Sequence, residues 1–271
     1  MFQPRVFRSA DKRILHKSGP EKVWESLGSG VEVFRYPTGE PVRRIITQGG
    51  SRKVGGFYSW KMMNHTVFES VTEERCSMLM DVHSAVDAFY AQPETIRVTG
   101  TEGNSFEYTP DFLSILGGTR FRLENKRACD LWPPKPADRY DESGIRKWEK
   151  AALVRARLRA VRQAYTRCGL QWKLVLDLHI ANMAAPEVVD ELVSHGGRPI
   201  SEGDWRRLRE HIIAAENATT LDAASAVLRE AEDPRGTVLA RVSEGLLGID
   251  LHEIPRDESL VFLTGRRRDE V

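Results

Sequence analysis

The segment YTPDFLSILGGTRFRLENK, residues 108–126, sets two apolar runs on either side of a Gly-Gly pair. Such a pair between strand-like runs marks a hairpin with a two-residue turn, because glycine reaches left-handed backbone conformations without steric cost. With Gly117 and Gly118 as the turn, Leu116 faces Thr119. Counting outward, Asp111 faces Glu124 and Thr109 faces Lys126. Like charges directly opposite each other destabilise a hairpin. A proton or a cation between them relieves the conflict, so this register asks for a positive charge at the open end of the hairpin.

A divalent ion meets that demand. Mg²⁺ takes oxygen ligands and is usually held by one or two carboxylates together with waters and substrate phosphate. Asp111 and Glu124 supply the carboxylates, and the backbone carbonyl of Asn125 adds a further oxygen. Bound there, the ion acidifies a water and polarises a phosphoryl oxygen. Lys126 lies two residues beyond Glu124 on the same strand face. It can orient the water, accept its proton, or neutralise charge in the transition state. The set suits phosphodiester hydrolysis. A [DE]-x-K triplet alone arises by chance about once in a chain of this composition, so the facing register carries the weight.

The periodicity predicts a helix from about Ser70 to Tyr90, with apolar positions at Val71, Met78, Leu79, Val82, Val86 and Phe89. Its start, ESVTEE, offers Glu69, Glu73 and Glu74. Glu73 can complete the metal shell from behind the sheet, although glutamates also suit a helix N-terminus on dipole grounds alone. Residues 95–99, 106–116 and 119–126 read as three strands. A long helix follows from about Asp141 to Cys168, closed by Gly169, and QWKLVLDLHI reads as a buried strand. His179 in that strand reads as a core histidine. Along the long helix Arg155, Arg159 and Arg162 recur at i, i+4 and i+7, apart from an apolar stripe of Trp148, Leu158, Val161 and Tyr165. These arginines form either a solvated face or a line of phosphate contacts.

Residues 1–56 read as a loop-rich basic arm with short strands such as VEVFRY, and with Arg43, Arg44, Arg52 and Lys53 among few acids. Residues 57–185 read as an α/β unit. From 186 onward short amphipathic helices end in GIDLHEIPRDESLVFL, two strands around Ile254–Asp257, which suggests a small winged-helix-like domain. The net charge of +1 gives no global field, so polyanion binding requires a local patch. Three widely spaced cysteines, a start without an apolar signal core, and an apolar run (LVLDLHIANMAA) too short to span a bilayer point to a reducing, cytoplasmic setting with no membrane partner. Neither a GxGxxG nor a GxxxxGK[ST] stretch is present, which gives hydride transfer and nucleotide hydrolysis no footing.

Taken together, these stretches resemble the TnsA family, the endonuclease subunit of heteromeric transposases, within the restriction-endonuclease-like PD-(D/E)xK nucleases. GGFYSWKMMNHTVFESVTEE is similar to the strand pair and helix start with the family's ES-x-x-E element. AQPETI resembles its QP segment, YTPDFLSI its tPDFL strand and LENK its E-V-K strand. The long helix, WKLVLDLHI and the helix after it follow in the family's order. The resemblance covers residues 43–195, and the C-terminal part more loosely. It departs at Asn125, where an apolar residue is usual, and at Thr72, where leucine is common.

The resemblance implies a restriction-endonuclease-like mixed sheet flanked by helices, with the winged-helix-like unit behind it. It implies a catalytic set of Glu73, Asp111, Glu124 and Lys126. Mg²⁺, or Mn²⁺ in its place, would lie on Glu73, Asp111, Glu124 and the Asn125 carbonyl. Gln92 of the QP segment joins Arg155, Arg159 and Arg162 as candidate DNA contacts. The implied activity is cutting of double-stranded DNA at the 5′ ends of a transposon, beside a DDE transposase subunit that works on the 3′ ends. An AAA+ ATPase regulator would contact the C-terminal domain. Two rival readings stand: another PD-(D/E)xK nuclease, such as a restriction or phage DNA-processing enzyme, and a non-catalytic adaptor on the same fold.

Overall fold

The structure is a computed structural model in which residues 23–36, 40–43, 53–99 and 104–265 are described. Strands β1 (Glu25–Gly28) and β2 (Val31–Phe34) precede the hairpin β3 (Gly55–Ser59) and β4 (Asn64–Phe68), and then helix α1 (Val71–Val82). Next come β5 (Val86–Ala91), β6 (Thr95–Thr99), β7 (Ser105–Tyr108), β8 (Phe112–Leu116) and β9 (Thr119–Lys126). Helices α2 (Ala128–Leu131) and α3 (Glu142–Arg167), strand β10 (Gln171–Leu176), and helices α4 (Asp177–Met183) and α5 (Pro186–His195) follow. The chain continues through α6 (Glu202–Ala214), β11 (Ala218–Thr220), α7 (Leu221–Ala226), α8 (Pro234–Ser243), β12 (Leu247–Ile249) and β13 (Leu260–Leu263).

The hairpin forms in the expected register. Leu116 pairs with Thr119 and Phe112 with Leu123, which leaves Asp111 opposite Glu124. Gly117 and Gly118 take φ of +53° and +75°, the left-handed values a two-residue turn of this kind requires at both positions. The hairpin is the middle of a mixed sheet of order β10-β9-β8-β5, in which only the β10–β9 pairing is parallel. A second sheet, β1-β2-β6-β7, takes in the two N-terminal strands.

Helices cover both faces of the mixed sheet. On one side Cys76 and Met80 of α1 pack against Phe89, Phe112 and Leu123. On the other, Leu158, Val161 and Tyr165 of α3 pack with Trp172 and with strands of the second sheet. The opposite side of α1 is also buried, for Leu79 and Val82 share a core with α5, α6 and α8 and with the small sheet β11-β13-β12. One helix therefore ties the mixed sheet to the C-terminal elements.

Four expectations need correction. Helix α1 ends at Val82, and Val86 and Phe89 belong to β5. The cause is tertiary. Lys61, fully buried, places its ammonium 2.8 Å from the Met80 carbonyl and 2.7 Å from that of His83, closing the helix end with a cation from another strand pair. Residues 106–116 form two strands in two sheets, since Pro110 has no N–H for a ladder. QWKLVLDLHI is an edge strand only to Leu176. There Asp177 starts α4, and His179 is exposed on that helix, its Nδ1 accepting the Leu176 N–H across 3.2 Å. On α3, Trp148 is 43% exposed and stands outside the buried stripe. The long helix itself runs as expected, from an Asp141 cap that accepts the Gly144 N–H at 2.9 Å to Gly169 at φ +69°.

Candidate active site

Asp111 sits in the bend between β7 and β8, and its place is set from two sides. Its carbonyl accepts the Gln92 N–H at 2.8 Å, and its Oδ2 accepts the Asn125 N–H at 2.6 Å. Gln92 is buried, with φ of +45°, a left-handed conformation that a non-glycine residue holds only under tertiary constraint. Its own carbonyl accepts the Val42 N–H at 2.9 Å. Gln92 thus lies beneath Asp111 rather than on an open surface.

Glu124 is buried in the middle of a polar chain. Trp172 Nε1 donates to the Tyr108 hydroxyl at 3.0 Å, and that hydroxyl donates to Glu124 Oε2 at 2.5 Å. The other carboxylate oxygen accepts Lys126 Nζ at 2.5 Å, and the same ammonium lies 3.0 Å from the Asn125 carbonyl. Tyr108 and Trp172 were not singled out from sequence. Only their aromatic bodies with polar handles, at positions that strand alternation points toward the α3 side, hint at such a role.

The charges here are strongly coupled. Burial raises the Asp111 carboxyl well above the ordinary aspartate value; Glu124 pushes it further, and Lys126 partly offsets both. Burial alone would lower Lys126, but the charges of Glu124 and Asp111 outweigh it and hold the ammonium above its usual value. Lys126 is therefore a cation and hydrogen-bond donor at neutral pH. Burial, reinforced by Glu124, keeps the Tyr108 hydroxyl protonated. Burial pushes the Cys76 thiol up to about 12, with Asp111 adding to it, so this cysteine is no nucleophile. The buried amide of Asn125 lies beside that thiol.

Glu73 bonds back to the two residues that precede α1. Its Oε2 accepts the Glu69 N–H at 2.8 Å and its Oε1 the Ser70 hydroxyl at 2.9 Å, while Ser70 Oγ accepts the Glu73 N–H at 3.1 Å. Both carboxylate oxygens therefore serve the start of α1. Glu69 pairs with Arg43, and Glu74 with Lys53 at 2.5 Å, so two of the arm's basic residues face acids at this helix start. Arg44 and Arg52 lie outside the described residues.

Among the described residues no three His, Cys, Asp or Glu side chains gather closely enough to hold a metal ion. Glu73 accordingly does not stand with Asp111 and Glu124 as a third ligand in this arrangement. What remains is two carboxylates and a carbonyl, all hard oxygen donors, and two of those oxygens already hold an ammonium. That set fits a Mg²⁺ ion carried by one or two carboxylates and completed by waters and phosphate.

Arg155, Arg159 and Arg162 line one groove, whose lining includes neither Asp111 nor Glu124. Comparison with protein-family models and with curated proteins finds no match to this chain. Its chemistry must be read from its own side chains. Among the described residues, no helix is long and apolar enough to cross a membrane.

Proposed function

We propose that this chain is a metal-dependent DNA endonuclease with a restriction-endonuclease-like core. The observation that carries the reading is Asp111 facing Glu124 across the hairpin, with Lys126 bonded to Glu124. A mixed sheet with α1 on one face and α3 on the other supports it. So does the C-terminal order helix, strand, two helices, two strands, which fits a winged-helix-like unit.

Asp111, Glu124 and the Asn125 carbonyl would hold Mg²⁺ or Mn²⁺, which supplies a polarised phosphoryl oxygen and an acidified water. The protein's own groups have separate tasks. The Asn125 N–H fixes the Asp111 carboxylate, and Tyr108 fixes that of Glu124. Lys126 brings a positive charge to the place where the phosphate gains negative charge in the transition state, the type of stabilisation that is largest in enclosed sites. Its raised pKa makes it an electrostatic and hydrogen-bonding group, not the base.

On the TnsA-like reading, the substrate is a transposon's 5′ end, and the partners are a DDE transposase subunit and an AAA+ ATPase. A stand-alone nuclease would share the active site and lack those partners. An adaptor role draws on Glu73, whose carboxylate serves the helix cap. Nicking of supercoiled plasmid in Mn²⁺, measured with and without the cognate transposase and ATPase, tests the assignment. Activity in the native chain and none in Asp111→Ala supports the nuclease. Co-purification of neither partner removes the transposition reading and leaves the nuclease one.

A further inference from the structure

The groove beside α3 combines features that the carboxylate site does not use. It is a cavity of about 370 Å³ between α2, α3 and the edge strand β10. Leu158 and Trp172 form its floor, and Trp132, Arg159, Arg162 and Lys173 stand around it. Arg155 also lines it, but bonds back to the Leu131 carbonyl and so joins α2 to α3. Among the described residues, Arg159 and Arg162 have no ion-pair partner, and Trp132 is 55% exposed.

An exposed indole next to free guanidinium groups on an apolar floor is a poor arrangement for water alone. It is a good one for a ligand with a flat aromatic face and a negative charge. Consecutive nucleotides have both, but only where the strand is unpaired, since a duplex hides the faces of its bases. The volume lies in the range of small-ligand pockets. The groove also reaches the active site through the protein. Trp172 on its floor donates to Tyr108, which donates to Glu124.

We propose that this groove binds a nucleotide of an unpaired DNA strand, with a base against Trp132 and phosphates on Arg159 and Arg162. The ligand's identity rests on the nuclease reading; the groove itself does not. A strand held here places an unpaired DNA segment next to the Tyr108–Glu124 support of the cutting site.

The test uses the full chain in EDTA, so that no cleavage enters. A fluorescein-labelled twelve-nucleotide dT strand and a blunt hairpin duplex are titrated by anisotropy over a range of salt. Trp132→Ala should weaken dT binding about tenfold, a typical loss for one stacked base, and change duplex binding less than twofold. Trp132→Phe should restore most of the loss. Arg159→Ala with Arg162→Ala should lower the log–log salt slope for dT by about 1.4, or about 0.7 per single-strand contact. Absence of dT binding by the native chain, an unchanged affinity in Trp132→Ala, or an equal loss for both DNAs would overturn the proposal. Asp111→Ala should keep full dT binding. Loss of cleavage in that variant speaks only to the nuclease assignment, so the two ideas fail separately.

Discussion

The ammonium of Lys126 lies 2.5 Å from Glu124 Oε1, at the end of a hairpin where two carboxylates face each other. In this state the lysine is the cation that the register demands. Replacing it with methionine should lower cleavage by about two to three orders of magnitude, the usual effect of losing one preorganised electrostatic group. Without the ammonium, the Asp111 carboxyl rises further above its unfolded value. The melting temperature of Lys126→Met should therefore fall further below wild type at pH 7 than at pH 4.5, where the Asp111 carboxyl takes a proton. An equal deficit at both pH values would show that the lysine does not compensate these charges.

Asp111→Asn should be more stable than wild type at neutral pH and catalytically dead. The sign follows from linkage. A carboxyl whose folded pKa is raised above 3.8 binds more protons in the native state than in the unfolded one, so its contribution falls as pH rises through that window. The amide removes this penalty and keeps an oxygen for the Asn125 N–H. Thermal melts should show a gain of a few degrees at pH 7 that disappears near pH 4. A loss of stability at pH 7 would contradict the assignment.

Tyr108→Phe removes the only link between Trp172 and Glu124 seen among the described residues. It leaves a buried carboxylate oxygen and an indole N–H short of a partner. The expected cost is about 1–3 kcal/mol in denaturant unfolding, with a reduced cleavage rate. Duplex affinity measured in EDTA should change less than twofold, because the substituted Tyr108 side chain is buried. Unaltered stability would mean that water replaces the hydroxyl and that the chain of bonds is incidental.

Glu73 allows a separation of structure from chemistry. Glutamine keeps a side-chain oxygen for the Glu69 N–H, so Glu73→Gln should hold stability within about 0.5 kcal/mol, whereas Glu73→Ala should lose about 1 kcal/mol. If Glu73 takes part in catalysis, the glutamine variant loses cleavage while keeping its melting point. Full activity in Glu73→Gln would reduce this residue to a helix cap.

The hairpin and its facing acids were legible because a Gly-Gly turn fixes register from local sequence alone. The long helix was legible for a similar reason: Asp141 and Gly169 mark its ends chemically. The end of α1 was not, since it depends on Lys61, ten residues before the helix begins and folded back beneath its last turn. The bonds around Glu124 were hidden in the same way, for Tyr108 and Trp172 are 64 residues apart. Nor could spacing reveal the buried Arg122–Glu94 pair, at 2.9 Å, with Tyr165 donating to Glu94 at 3.1 Å. Its Arg122 sits on β9 two residues before Glu124, and breaking the pair would leave a charge in the core.

The most direct test of the account is a calorimetric titration of the native chain and of Asp111→Ala with Mn²⁺. The account predicts one class of binding in the native chain that is absent from the variant. Equal binding by both chains, or none by either, would contradict a metal site at the Asp111–Glu124 hairpin.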